Sequence, residues 1–128
     1  MDYTKENCPF CLERNMREII AENELAYAAF DIYAVSQGHC LIITKRHIES
    51  FFEATQEEVQ ALFSLVTEVK GILEQRYNPD GFNIGINVND AAGQTVPHVH
   101  VHLIPRYKGD VENPRGGVRN VIPGKGNY

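Results

Sequence analysis

His98, His100 and His102 stand at strict alternation inside the run Gln94-Thr95-Val96-Pro97-His98-Val99-His100-Val101-His102-Leu103-Ile104-Pro105-Arg106, which holds three of the chain's five histidines. Alternate side chains of a β-strand share a face, so the three imidazoles project together while Val99, Val101 and Leu103 project oppositely. Each imidazole brings two ring nitrogens that need partners and a pKa near neutrality, which suits nucleophilic attack, proton transfer or metal ligation better than packing. Alternate strand residues lie about 6.6 Å apart and the outer pair about 13 Å, so gathering all three on one metal ion is strained. The pattern points instead to one imidazole acting as nucleophile or base, held by its neighbours.

The second group with chemical potential is Cys8-Pro9-Phe10-Cys11. Together with Cys40 it makes an odd count of three cysteines, which argues against a disulfide framework. Cys8 and Cys11 read as half of a metal site and Cys40 as core. A redox-active pair is the alternative, but it asks for a βαβ context that the following sequence does not offer.

Composition bounds what these groups serve. A chain of 128 residues, 43% of them hydrophobic, fits one globular domain over residues 1–128 with no need of disulfides. Its net charge of −5 and lack of a long basic run speak against nucleic acid or an anionic membrane surface as partner. An anionic substrate therefore has to be held by local groups. No apolar segment follows a basic start and no stretch is long enough to span a bilayer, so neither signal peptide nor transmembrane helix is expected and the location expected is cytoplasmic.

The elements that must position these residues follow from periodicity. Leu12, Met16, Ile19 and Ile20 are near helical spacing, predicting a short helix over Leu12 to Ala21. Glu24 to Ile32 and His39 to Lys45 read as strands that pair through the turn at Ser36-Gln37-Gly38. Thr55 with Glu58 forms a capping box, and Val59, Leu62, Phe63, Val66, Val69, Ile72 and Leu73 recur at three and four, giving a long helix over about Thr55 to Tyr77. Asn78-Pro79-Asp80-Gly81 ends it, a strand over Phe82 to Val88 follows, and Asn89 to Gly93 turns the chain into the histidine strand. From Asn113 the composition shifts to Gly, Pro and basic residues, which reads as a solvated tail outside a core at about 8–110. The fold expected is a single α+β domain: an antiparallel sheet of about five strands with a long helix and a short helix on one face.

The stretch Gly93-Gln94-Thr95-Val96-x-His98-Val99-His100-Val101-His102-Leu103-Ile104-Pro105-Arg106 resembles the signature of the histidine-triad (HIT) superfamily of nucleotide hydrolases and transferases. Upstream, Asp31-Ile32, Gly38-His39 with Lys45-x-His47, the long helix, and Asn87 six residues before Gly93 match in order, so the likeness covers about Cys8 to Asp110. The resemblance implies a HIT-like fold and cleavage at the α-phosphate of a nucleoside phosphoramidate, an adenylate or a dinucleoside polyphosphate. In that implied mechanism His100 attacks phosphorus as neutral imidazole, its Nδ1–H held by the main-chain carbonyl of His98, and water then releases a nucleoside monophosphate from the nucleotidyl-histidine. His102 contacts phosphate oxygens with His39 nearby. Asn87, Gln94 and Thr95 give uncharged hydrogen bonds, and Thr95 also assists the leaving group. Asp31 takes the ribose hydroxyls, and Phe10 and Ile32 wall the base, for which a purine is expected.

The resemblance further places Cys8, Cys11, His47 and His98 as a Cys₂His₂ set for a structural zinc ion, as in the zinc-bearing microbial branch of the superfamily. It implies a homodimer joined at sheet edges and long helices, across which Arg115, Arg119 and Lys125 could reach phosphate. Two other readings stand beside it. One is a nucleotide-binding regulatory module acting through a protein partner; the other is a catalytic zinc hydrolase using His98 and His100 as ligands.

Overall fold

The computed structural model describes residues 6–12 and 18–128. Its elements in chain order are α1 (Pro9–Leu12), β1 (Ile19–Glu22), β2 (Ala26–Phe30), β3 (Cys40–Thr44), α2 (Gln56–Tyr77), β4 (Gly81–Gly85) and β5 (His100–Arg106), with 3₁₀ turns at Phe51–Glu53, Asp90–Ala92 and Gly117–Val121. The five strands form one sheet in the order β1-β2-β3-β5-β4 with every pairing antiparallel. No helix among the described residues is long and apolar enough to cross a membrane.

The sheet's two faces serve different ends. Ala26, Ala28, Cys40, Ile42, Val101 and Leu103 point to one side and pack against Leu62, Leu65, Val66, Val69 and Leu73 of α2. Tyr27, Ala29, Leu41 and Ile43 point to the other, where Cys8 and Phe10 cover them. Because Ile43 pairs with His100 and Leu41 with His102, both histidines share this second face. Period-two alternation thus commits one side of β5 to the core and the other to polar side chains.

α2 starts and stops where its sequence dictates. The Thr55 hydroxyl accepts from the Glu58 amide while the Glu58 carboxylate accepts from the Thr55 amide, and Asn78 ends the helix in the left-handed region at φ 51°. Buried Glu58 also receives two hydrogen bonds from Arg46, at 2.7 and 3.1 Å, tying the helix start to the chain leaving β3. The Arg46 guanidinium holds the Glu58 carboxyl below its ordinary value of 4.5. A carboxyl depressed by folding stabilises the fold above that ordinary value and ceases to do so as pH falls through the lower folded one. Glu58→Gln is therefore expected to lose about 1–3 kcal/mol in urea unfolding at pH 7 and to flatten the loss of stability seen in acid.

Three expectations need correction. The short helix predicted over Leu12 to Ala21 falls partly on residues 13–17, outside the described residues; its end is β1, because Ile19 and Ile20 serve equally well in a strand that pairs with β2 through an irregular register. The short helix that does form, α1, lies on the opposite face from α2, since Phe10 packs with Tyr27 and Leu41. Strand boundaries also contract. The Asn23 side chain accepts from the Leu25 and Ala26 amides, at 3.1 and 2.9 Å, so residues 24–25 form a turn and β2 begins at Ala26. β4 ends at Gly85, leaving Asn87 in a loop.

The C-terminal segment from Asn113 lies mostly exposed to solvent but carries local structure. Its 3₁₀ turn packs near β4, Arg119 Nε donates to the Lys125 carbonyl, and the guanidinium groups of Arg115 and Arg119 sit 5.0 and 4.4 Å from the Tyr128 ring centre. Gly116 makes this closure possible: its φ is +85° and any Cβ there would run into the Gly126 backbone. Cation–π contacts and glycine-enabled backbone approach replace the apolar residues whose scarcity suggested a loose tail.

Candidate active site and metal centre

Two constellations meet on the face opposite α2. The first is built where α1, the chain after β3 and the approach to β5 converge. Cys8 Sγ lies 3.3 Å from His98 Nδ1, Cys11 Sγ 3.4 Å from His47 Nδ1 and 3.5 Å from His98 Nδ1, and the two Nδ1 atoms are 3.1 Å apart. These four side chains could hold a metal ion, all ligand atoms lying within 4.8 Å of one another. A tetrahedral ion with bonds of about 2.0–2.3 Å sets its donors about 3.3–3.8 Å apart, which the observed spacings approach. The His98 Nε2–H donates to the Thr44 carbonyl oxygen at 2.7 Å, so the Nδ1 lone pair is turned toward the cluster. Burial pushes the His98 imidazole down to about 4, keeping the ring neutral as a ligand must be.

His98 departs from the strand alternation expected of the three histidines and joins the cluster that the resemblance implies for it. It precedes β5, in a bend, and its ring belongs to this cluster and not to the cavity beyond. His100 is in neither group of metal-capable side chains found among the described residues, which counts against a metal held by His98 and His100 together. None of Cys8, Cys11 and Cys40 is in a disulfide; burial pushes Cys40 up to about 12, which fits its place in the core.

The second constellation is a cavity of about 540 Å³ lined by Phe10, Asp31, Ile32, Asn87, Thr95, His100 and His102, with Pro9, Tyr33, Leu41, Gly93 and Val96 completing it. Seven of the residues singled out by sequence thus meet in one place, although they come from five separate segments of chain. The His100 Nδ1–H donates to the His98 carbonyl oxygen at 2.7 Å. A carbonyl only accepts, so Nδ1 carries the proton and Nε2 keeps its lone pair. Burial lowers the His100 pKa, as it does that of His102, so both rings are biased to the neutral form.

A directed chain of hydrogen bonds runs behind His102. The Val35 amide donates to His39 Nδ1 at 3.1 Å, which puts the proton of neutral His39 on Nε2, and this donates to His102 Nδ1 at 3.0 Å. His102 is thereby left with its proton on Nε2. Asp31, His39 and His102 are close enough to suggest a second metal site. An ion on His39 Nε2 would have to displace the proton that the Val35 amide places there, so hydrogen bonding accounts for the trio better. His39 itself is buried behind the cavity, and burial lowers its pKa against the opposing pull of Asp31.

Gln94 lies outside the cavity lining. Its Nε2 donates to the Glu49 and Val96 carbonyls at 2.7 and 3.1 Å, and its Oε1 accepts from the Asn89 amide at 2.9 Å, so it braces the loop that carries Thr95. Val35 and Tyr33 were missed by sequence reasoning. Val35 acts through its main-chain amide, which leaves no signature in residue type. Tyr33 follows an Asx turn, its amide donating to Asp31 Oδ1 at 2.9 Å, a placement only the loop conformation sets. A larger cavity of about 600 Å³, between β5 and the C-terminal segment, includes none of the histidines.

Comparison with known proteins agrees with this architecture. The bis(5'-adenosyl)-triphosphatase of Dictyostelium discoideum is 38% identical over 96 residues, spanning 75% of this chain and 64% of that protein. The crystal structure of a HIT family protein from Bacillus anthracis superposes with a TM-score of 0.78 at 38% identity, over 84% of this chain and 78% of the other. A zinc-bound histidine triad family protein from Mycobacterium smegmatis superposes with a TM-score of 0.76 at 31% identity, covering 84% and 80%. The HIT domain model matches residues 13–109, so the cavity's histidines lie inside the match and Cys8 and Cys11 lie ahead of it. On sequence and on fold, this chain belongs to the HIT domain family.

Proposed function

We propose that the protein is a nucleotide hydrolase that cleaves at the α-phosphate of a nucleoside phosphoramidate, adenylate or dinucleoside polyphosphate. The observation that carries this reading is the 2.7 Å bond from His100 Nδ1–H to the His98 carbonyl, which leaves a neutral Nε2 as nucleophile on a cavity wall. Attack of Nε2 on phosphorus expels the leaving group and forms a phosphorus–nitrogen bond; water then displaces His100 and yields a nucleoside monophosphate. His102 offers its Nε2–H to a phosphate oxygen, and Asn87 and Thr95 supply uncharged hydrogen bonds as charge develops. Thr95 is also placed to assist the leaving group. Asp31 accepts from the ribose hydroxyls, while Phe10 and Ile32 flank a purine base. Gln94 contributes by holding the Thr95 loop.

The Dictyostelium relative's name supports a dinucleoside polyphosphate as substrate class, and the cavity's polar end is compatible with each of the three. Zinc is the ion proposed for Cys8, Cys11, His47 and His98, since two thiolates and two imidazoles in a closed set suit its tetrahedral preference. The zinc bound by the Mycobacterium smegmatis structure supports that choice. Its chemistry is structural, tying the N-terminal segment to the bend that carries His98. A homodimer in the cytoplasm completes the reading: β4 is an edge strand, and Ile84 on it and Phe63 on α2 are exposed apolar side chains.

Incubation of purified protein with labelled adenosine phosphoramidate and diadenosine polyphosphates tests the reading. AMP is expected as product from at least one of them, with solvent ¹⁸O entering the α-phosphate. Turnover near the uncatalysed rate on all of them, with nucleotide still bound, would favour the regulatory module.

A further inference from the structure

Phe10 belongs to both constellations at once. It sits between the two cysteines of the metal cluster, and its buried ring meets His98 and His100 edge-on, with centroids 5.7 and 5.0 Å away. The same ring lines the cavity that holds His100. Its backbone is part of α1, four residues long, and one helical turn does not sustain itself in water. The turn is shaped by the Cys11 amide donating to the Cys8 carbonyl at 3.1 Å, and the Tyr27 hydroxyl donates to the Phe10 carbonyl at 2.8 Å. A metal ion held by Cys8 and Cys11 fixes both ends of the turn whose middle presents Phe10.

We infer that metal binding at Cys8, Cys11, His47 and His98 and nucleoside binding in the neighbouring cavity are coupled through Phe10, so that each ligand tightens the other. The inference rests on the nucleotide reading of the cavity. Its physical basis is shared ordering. A nucleoside base needs the Phe10 wall in place, and the metal needs the Cys8 and Cys11 sulfurs gathered, and both demands select one conformation of the same turn. Whichever ligand binds first has met the ordering cost, and the second binds a site already formed. Linkage requires the two effects to be equal in size.

The test uses the full chain with zinc and AMP as probes. Zinc affinity is measured by competition with a chromophoric chelator, without and with saturating AMP. AMP affinity is measured by calorimetry on zinc-loaded and zinc-free protein. Both affinities are expected to rise by about tenfold in the presence of the other ligand. Phe10→Ala, titrated to saturation with each ligand, is expected to bring the coupling factor near one whatever it does to either affinity alone. Ile32→Ala alters the cavity away from the cysteines, so it weakens AMP binding but keeps the factor. AMP binding that leaves zinc affinity unchanged overturns the inference. So does a factor that survives in Phe10→Ala, because the coupling would then run through folding as a whole. Zinc-loaded protein that binds no AMP is a separate result, which removes the nucleotide reading itself.

Discussion

His100→Ala and His100→Gly are expected to lower turnover of an adenylated substrate by at least about 10⁴-fold while leaving AMP affinity within a few-fold of the parent protein. The asymmetry comes from how the cavity divides its labour. Its ribose and base contacts are assigned to Asp31, Phe10 and Ile32, which belong to other segments, and of these Phe10 meets the His100 ring edge-on at 5.0 Å while its ring is also held against His98. The bond formed to phosphorus, by contrast, needs the Nε2 lone pair, and no neighbouring group can substitute. His102 is the nearest imidazole, with ring centres 5.2 Å apart, but the His39 bond to its Nδ1 leaves a proton on its Nε2 and makes it a donor. Single-turnover measurement with trapping of the labelled nucleotidyl-protein checks the claim directly. Label should accumulate on the parent chain in a phosphorus–nitrogen linkage, stable to base and labile to acid, and should be absent from both variants. Turnover retained within tenfold in either variant would move the nucleophile elsewhere.

What could be read ahead of the structure depended on whether the signal was local. α2 announces itself because its cap, its apolar spacing and its stop at Asn78 lie within one stretch of chain, and they act there with little help from elsewhere. The β2–β3 pairing was likewise local. β1 was not: Ile19 and Ile20 satisfy two periodicities, and the free edge of β2 decides between them. At the site, alternation correctly put His100 and His102 on one polar face. It could not separate them from His98, whose ring is drawn off by two cysteines and a histidine far away in sequence. The family resemblance supplied that ligand set, which spacing alone does not yield. Val35 and Gln94 mark the opposite limit. One acts through its backbone amide, and the other uses its whole amide group to brace a loop, and neither role is visible in residue type.

Removing the proposed zinc should produce the largest change in stability. Protein purified without chelator is expected to carry about one zinc ion per chain by elemental analysis, and stripping it should lower Tm by on the order of 10–20 °C. The size follows from what the ion binds. An ion present at about 1,000 times its Kd stabilises the folded chain by about 4 kcal/mol, and its donors come from α1, the chain after β3 and the bend before β5, which the metal-free fold must hold by weaker contacts. Emptying the site also leaves two thiols and two imidazoles crowded at 3.1–3.5 Å with no ion to share. Cys8→Ala should match most of the Tm loss and bind zinc far more weakly, whereas Cys40→Ala, in the core against α2, should cost stability without changing zinc content. Acid should release the metal as protons compete for the thiolates and imidazoles, so the zinc-dependent part of Tm should vanish on lowering pH while a zinc-free sample shows no matching step. A chain that carries no zinc, or whose Tm is indifferent to its removal, would leave Cys8, Cys11, His47 and His98 as a hydrogen-bonded cluster with no structural ion.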